Sequence, residues 1–414
     1  MSKLRDLCEI RGRVGWKGYT VEDLAEEGPL VLGANDITVD NRLDMSDVKH
    51  LTREKYEESP EIFIEKNDIL VVKVGSTIGK VCIISRDLGE ATINPNCVIV
   101  RATKINPYYL YYYLCSPAGR AYLLNNSSAS GQPALNQKDL GEMDIPLIDD
   151  NKQKRISDFL NDINEKIETN NQINMELEEL AMSIYQYWFL QCDFPNDDGK
   201  PYKTSGGALK WSEELKRNIP ARSTVKKVNE IIDVKDGTHD SPKYVDDGKY
   251  LITSKHLTSN GIDFSTANHI SDSDYDSINI RSKVDTGDIL FSMIGAVGNV
   301  YRIDEEEIDF AIKNVALYKS SQYKSFIGYL YLTLKSKIMD AYISNTMAGS
   351  IQKFMSLGSL RDMPILYDEE IIERFNETTK NIFEKITQIK NENKELALLK
   401  NYTLPLLING QITF

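Results

Sequence analysis

Histidine is scarce in this 414-residue chain, and cysteine offers no framework. The four histidines, His50, His239, His256 and His269, are not spaced as metal ligands. The five cysteines (8, 82, 97, 115 and 192) form no CxxC pair, so a metal site and a disulfide scaffold are both unexpected, and a reducing cytoplasm is the expected setting. No apolar run approaches the roughly 18 residues of a membrane span. The start, MSKLRDLCEI, lacks the apolar core of a secretion signal. Positive charge is not in excess either. The net charge of −13 by itself weighs against a nucleic-acid binder.

Catalytic motifs are absent as well. Gly75 and Gly79 bracket three residues, where a phosphate loop needs four, and Val81 stands where Ser or Thr should follow Lys80. Asn106-Pro107-Tyr108-Tyr109 has the outline of a methyltransferase loop, but no glycine-rich cofactor loop precedes it. A helix start explains it better. Asp198 with Lys200, and Asp247 with Lys249, sit in Asp-Gly turns, which are ordinary solvated loops.

Proline and glycine are missing from one stretch, and that absence organises the chain. Residues 151–190 contain neither, so nothing breaks a helix. Core-type residues recur at Ile163, Ile167, Asn170, Asn174, Leu177, Leu180/Ala181 and Ile184. Steps of four and three make this a heptad seam. A second helix over about 369–400 carries Ile382, Ile386, Ile389, Asn393, Leu396 and Leu399. An offset of 219 superposes the two patterns and matches Asn174 with Asn393, register-setting positions in a coiled coil. The two helices are expected to pair antiparallel.

A globular repeat accompanies the helical one. Asp68-Ile69-Leu70 matches Asp288-Ile289-Leu290, Gly75 matches Gly295, and Ala91-Thr92-Ile93-Asn94 matches Ala311-Ile312-Lys313-Asn314, each at 220. Gln132 matches Gln352 at 220, and Ile145-Pro146 matches Met363-Pro364 at 218. The unit is one domain of short strands plus one long helix, present twice. The predicted division is residues 1–150 and 221–366 for the domains, 151–192 for the first long helix, 193–220 for an exposed irregular linker, and 367–414 for the second helix and tail. Within the first domain, Ile69–Val74, Val81–Ser85 and Cys97–Val100 are predicted strands, and Tyr108–Leu124 a helix broken at Pro117.

Two loops have the composition of reading surfaces. Arg11-Gly12-Arg13-Val14-Gly15-Trp16-Lys17-Gly18-Tyr19 carries three cations, aromatics and no acid. Asp236 to Tyr244, followed by Ser254-Lys255-His256, is polar and rich in turns. In this order, Gly15-Trp16-Lys17-Gly18, Gly131-Gln132…Ile145-Pro146, Phe194-Pro195…Gly199-Lys200-Pro201-Tyr202…Ser205-Gly206-Gly207…Trp211, Asp236-Gly237-Thr238-His239 and Leu404-Pro405-Leu406-Leu407-Ile408-Asn409-Gly410-Gln411 resemble the specificity subunit of type I restriction–modification enzymes over essentially the whole chain.

The resemblance implies an α+β fold: two tandem target recognition domains separated by long helices that pair as an antiparallel coiled coil. It implies that each domain reads one half of a split double-stranded DNA site. It also implies two docked methyltransferase subunits, which bind S-adenosylmethionine, and restriction/translocase subunits, which use ATP and Mg. This chain would bind no cofactor and perform no catalysis. Carried over by motif, the DNA-facing candidates are Arg13, Trp16, Lys17, Lys73, Ser76 and Lys80 in the first half. In the second half they are Thr238, His239, Lys243, Lys255, Gln352 and Lys353. Two other readings stand beside this one. A lone methyltransferase or nuclease would methylate or cut as the purified chain. A coiled-coil scaffold without a DNA role would leave no footprint.

Overall fold

The computed structural model describes residues 1–13, 18–126, 134–258, 261–347 and 354–412. The chain divides into two compact units, Met1–Thr169 with Asn393–Phe414, and Asn170–Glu392.

In the first unit a four-stranded antiparallel sheet holds strands Cys8–Arg11, Cys97–Ala102, Ile69–Val72 and Val81–Ile83, in that spatial order. All four residues of Ile69–Val72 are buried, because both faces of the sheet are covered. Ile69 and Val71 join Val98 and Val100 against a helical layer that contains Tyr109 to Leu114. Leu70 and Val72 face the other way, onto Leu32, Ala91 and Ile93 of a three-stranded sheet. In that sheet Leu24–Leu32 runs parallel to Ala91–Ile93 and antiparallel to Lys49–Leu51.

The helical layer forms as its sequence predicts. Asn106 caps Pro107–Cys115 by accepting from the amides of Tyr108 and Tyr109, and Pro107 fills the first turn where no amide is needed. Ser116 then caps a second helix, Pro117–Asn125. Pro117 thus ends one helix by starting another.

The second unit repeats this order. Val234–Asp236, Val315–Tyr318, Ile289–Ser292 and Val300–Arg302 form the same four-stranded sheet. Lys249–Thr253 runs parallel to Phe310–Lys313, as Leu24–Leu32 does to Ala91–Ile93. The isolated bridges Val74 with Ala134 and Ile294 with Phe354 correspond at an offset of 220. So does a buried acid at the start of a central strand. Asp68 pairs with Arg101, and Asp288 with Lys319. Burying a carboxylate is tolerable only with such a partner.

The long helices run Asp150–Tyr185, continued by a wide turn over Gln186–Leu190, and Glu369–Ile408. In the second unit their pairing is antiparallel. Asn170 donates to Glu392 at 2.9 Å, while Tyr185, Trp188 and Phe189 pack on Phe375 with ring centroids 5.2 to 6.3 Å apart. In the first unit Lys400 donates to Asn164 at 2.9 Å, and Leu404, Leu407 and Ile408 share a core with Ile156 and Leu160.

Three expectations need correction. Of the seam alternatives Leu180 and Ala181, Ala181 is buried and Leu180 is 50% exposed, and Leu399, also placed on the seam, is 43% exposed. Beyond Ala181 the buried stripe runs through Tyr185, Trp188 and Phe189, because the helix Ile327–Leu334 also covers this face. Asn174 and Asn393 fall in different units. An equal heptad position aligns two helices only when they run parallel, and these run in opposite directions. Asn170 is the buried asparagine with a partner across the pair, whereas Asn174 is half-exposed.

The third correction concerns the linker, which is largely exposed as expected but ends in a hairpin. Leu209–Ser212 pairs with Arg217–Pro220. Phe194 is buried and stacks on Tyr202 at 4.7 Å, and Asp193 accepts from the Thr204 amide and hydroxyl. The turn-rich sequence concealed these anchors.

Candidate nucleic-acid interface

In each unit the segments that leave the parallel strand pair and the central strands converge. In the first unit Arg13 follows the outer strand, and its Nε donates to the Ile93 carbonyl at 3.3 Å. Asn94 donates its amide to Leu32, Lys73 donates to Asn96, and Leu135 donates to Lys73. Gly75 turns the chain with a φ of +102°, a conformation that disfavours a side chain.

Arg13 is buried, and burial lowers its proton affinity against the pull of Glu58 and Glu61. Burial likewise lowers that of half-buried Lys73. Ser76 is exposed. Lys80 reaches inward and donates to the Ile37 carbonyl at 2.8 Å. Trp16 and Lys17, the centre of the basic loop, lie outside the described residues.

The second unit builds the same end with different chemistry. Gly237 lies where a Cβ would meet the Ile312 carbonyl oxygen at 2.2 Å, so only glycine permits this approach. Thr238 then donates its amide to Ile312 and accepts that of Asn314. Ser254 donates its hydroxyl to the Asn314 carbonyl at 2.7 Å and accepts the Met293 amide at 3.2 Å. His239 is held on both sides: Nε2 lies 2.8 Å from Oδ2 of Asp236, and Nδ1 lies 2.8 Å from Oδ1 of Asn314. Asp236 is buried and also pairs with Arg281.

His239, Lys243 and Lys255 are exposed, and Thr238 is half-exposed. The structure thus gathers Thr238 and His239 with Asn314, which sequence reasoning matched to Asn94 but did not single out. Gln352 and Lys353 lie outside the described residues. His256 is buried. It accepts the Thr253 amide on Nδ1 at 2.9 Å, and burial, followed by Lys255, holds its pKa below the ordinary 6.5. Asp36 caps the same turn in the first unit by accepting from Gly33 at 2.6 Å.

The departure of Gly298-Asn299 from Gly79-Lys80 also finds its reason here. Asn299 donates to the Leu257 carbonyl at 2.6 Å, as Lys80 does to Ile37, and residues 37 and 257 correspond at 220. Both side chains tie the turn to its neighbour.

One domain topology is thus built twice, with two unlike polar loop ends. Residues 1–179 match the family model described as the type I restriction modification DNA specificity domain. That match covers the first 179 of 414 residues, and over a larger share the chain is similar to specificity subunits of type I restriction–modification enzymes. It is 23% identical over 312 residues to the MjaIX specificity subunit of Methanocaldococcus jannaschii, covering 73% of this chain and 68% of that protein. It is 22% identical over 408 residues to the HindI specificity subunit of Haemophilus influenzae, covering 84% and 87%. The crystal structure of the S subunit of a type I system from M. genitalium shares the fold, with a TM-score of 0.52 at 15% identity over 98% of this chain and 95% of that one. No helix among the described residues is long and apolar enough to cross a membrane.

Proposed function

We propose that each unit reads one half of a bipartite double-stranded DNA site, that the paired helices set the spacing, and that the same helices dock two methyltransferase subunits. Restriction/translocase subunits join through these. The chain itself performs no catalysis. S-adenosylmethionine is held by the methyltransferases, and ATP and Mg by the nuclease subunits. The division of the DNA-facing residues is that given by sequence, with Arg13, Trp16, Lys17, Lys73, Ser76 and Lys80 in one half-site and Thr238, His239, Lys243, Lys255, Gln352 and Lys353 in the other. Arg13 and Lys80 act there by shaping the loops that carry the others.

One observation carries the reading. The same strand order occurs twice, with loop ends that differ in chemistry, which is what two different half-sites require. The acidic balance is compatible if phosphate contacts come in part from the methyltransferases. Methylome sequencing of a host carrying this chain with its partner subunits is the test. A two-part motif with a fixed gap, lost when the chain is deleted, is the expected result. A continuous motif, or methylation by the purified chain alone, defeats the proposal.

A further inference from the structure

We infer that the Asn314 carboxamide, held in place by His239, reads an adenine in the half-site of the second unit. The inference rests on the DNA-reading role proposed above. Asn314 follows the strand Phe310–Lys313 with a φ of +53°, a left-handed conformation that asparagine adopts more readily than most residues other than glycine. Its backbone is secured on both sides. The amide donates to Thr238, and the carbonyl accepts the Ser254 hydroxyl. The fold therefore fixes where this side chain starts.

His239 then fixes its plane. The ring is braced from behind by Asp236, a buried carboxylate that Arg281 also engages, and its Nδ1 touches the side of the carboxamide at 2.8 Å. A carboxamide has a side and an end. Either side, oxygen or nitrogen, can serve the imidazole, depending on which of them carries the proton. The end edge keeps one oxygen lone pair and one N–H. That edge matches N6–H and N7 of adenine, one acceptor facing a donor and one donor facing an acceptor. Guanine presents two acceptors at the same place and is rejected. Exposed Lys243 and Lys255 are available for phosphates around it.

The first unit shows the contrast. Asn94 occupies the equivalent position, but its Oδ1 accepts the Asn96 amide at 3.0 Å, and its Nδ2 packs so closely on Gly33 that a Cβ there would lie 2.2 Å away. Asn94 is consumed by its own loop. Among the described residues, the Asn314 side chain is tied only at its side, by His239.

The full chain is co-expressed with its methyltransferase partner, and the methylated motif is read for wild type, Asn314→Gly and Asn314→Asp. Glycine tolerates the positive φ, so the backbone survives while the carboxamide goes. Aspartate keeps the shape but places a second acceptor against N7. The expected result is at least a tenfold loss of discrimination at a single adenine of one half-site in Asn314→Gly, and rejection of that adenine in Asn314→Asp, with the other half-site and the gap unchanged. A wild-type motif that is not bipartite would defeat the reading beneath the inference as well. A bipartite wild-type motif that both variants leave intact overturns the role of Asn314 alone. Variant complexes that assemble but no longer methylate any site assign Asn314 to loop structure and also overturn it.

Discussion

At the scale of single residues, this protein spends its buried polar groups on holding loops. His256 is the clearest case. It takes the place that Asp36 has in the first unit, and its Nδ1 must stay unprotonated to accept the Thr253 amide. Burial, then Lys255, lowers its pKa below 6.5, so in this range the unfolded chain binds the proton more tightly than the folded one. Stability is therefore full above the ordinary histidine range and falls as pH drops through about 6.5. The midpoint of thermal unfolding should decline between pH 7.5 and 5.5, and His256→Asn, which keeps an acceptor but does not titrate, should flatten the decline. An unchanged slope in the variant would assign the pH dependence to other groups. Sequence inspection had placed His256 beside Lys255 in a polar loop, with nothing to mark one as buried and the other as exposed. The inward hydrogen bond of Lys80 was equally hidden. A lysine after a glycine turn carries no local mark of its partner, and only the position of the Ile37 carbonyl reveals that bond.

Elements were more legible than residues. The strand Ile69–Val72, the capped helix Pro107–Cys115 and both long helices follow from short-range signals: a β-branched run, an Asn-Pro start, and uninterrupted heptads. The buried face of the long helices was less legible, because a heptad pattern assumes one partner. Here the helix Ile327–Leu334 is a second partner and draws aromatic residues into the core. The corrected face predicts contrasting stabilities. Phe375→Ala removes a fully buried ring that touches Tyr185, Trp188 and Phe189, and should cost about 3–5 kcal/mol. Leu399→Ala, on the former seam, should stay within about 0.5 kcal/mol. Denaturant unfolding of the full chain measures both, and equal losses would restore the heptad seam.

At the scale of the whole molecule, both helices pass from one unit to the other, one at Thr169 and Asn170, the other at Glu392 and Asn393. These junctions are the places to test the spacing role. Seven helical residues inserted at each leave the contacts within either unit untouched. They add roughly 10 Å, or about three base pairs of DNA. The gap in the methylated motif should lengthen while both half-sites stay the same. A constant gap in an active complex would refute the idea that helix length sets it.

The duplication, the α+β composition and the two long helices were all determined by the sequence alone, because each rests on a periodicity or a motif order that survives divergence. Which side chains the loop ends bring together was decided only by the tertiary structure. Asn314 gains its position from a histidine 75 positions earlier, a serine 60 positions earlier and a carboxylate buried between strands. Such partners are set by the pairing of distant strands and leave no trace in local spacing.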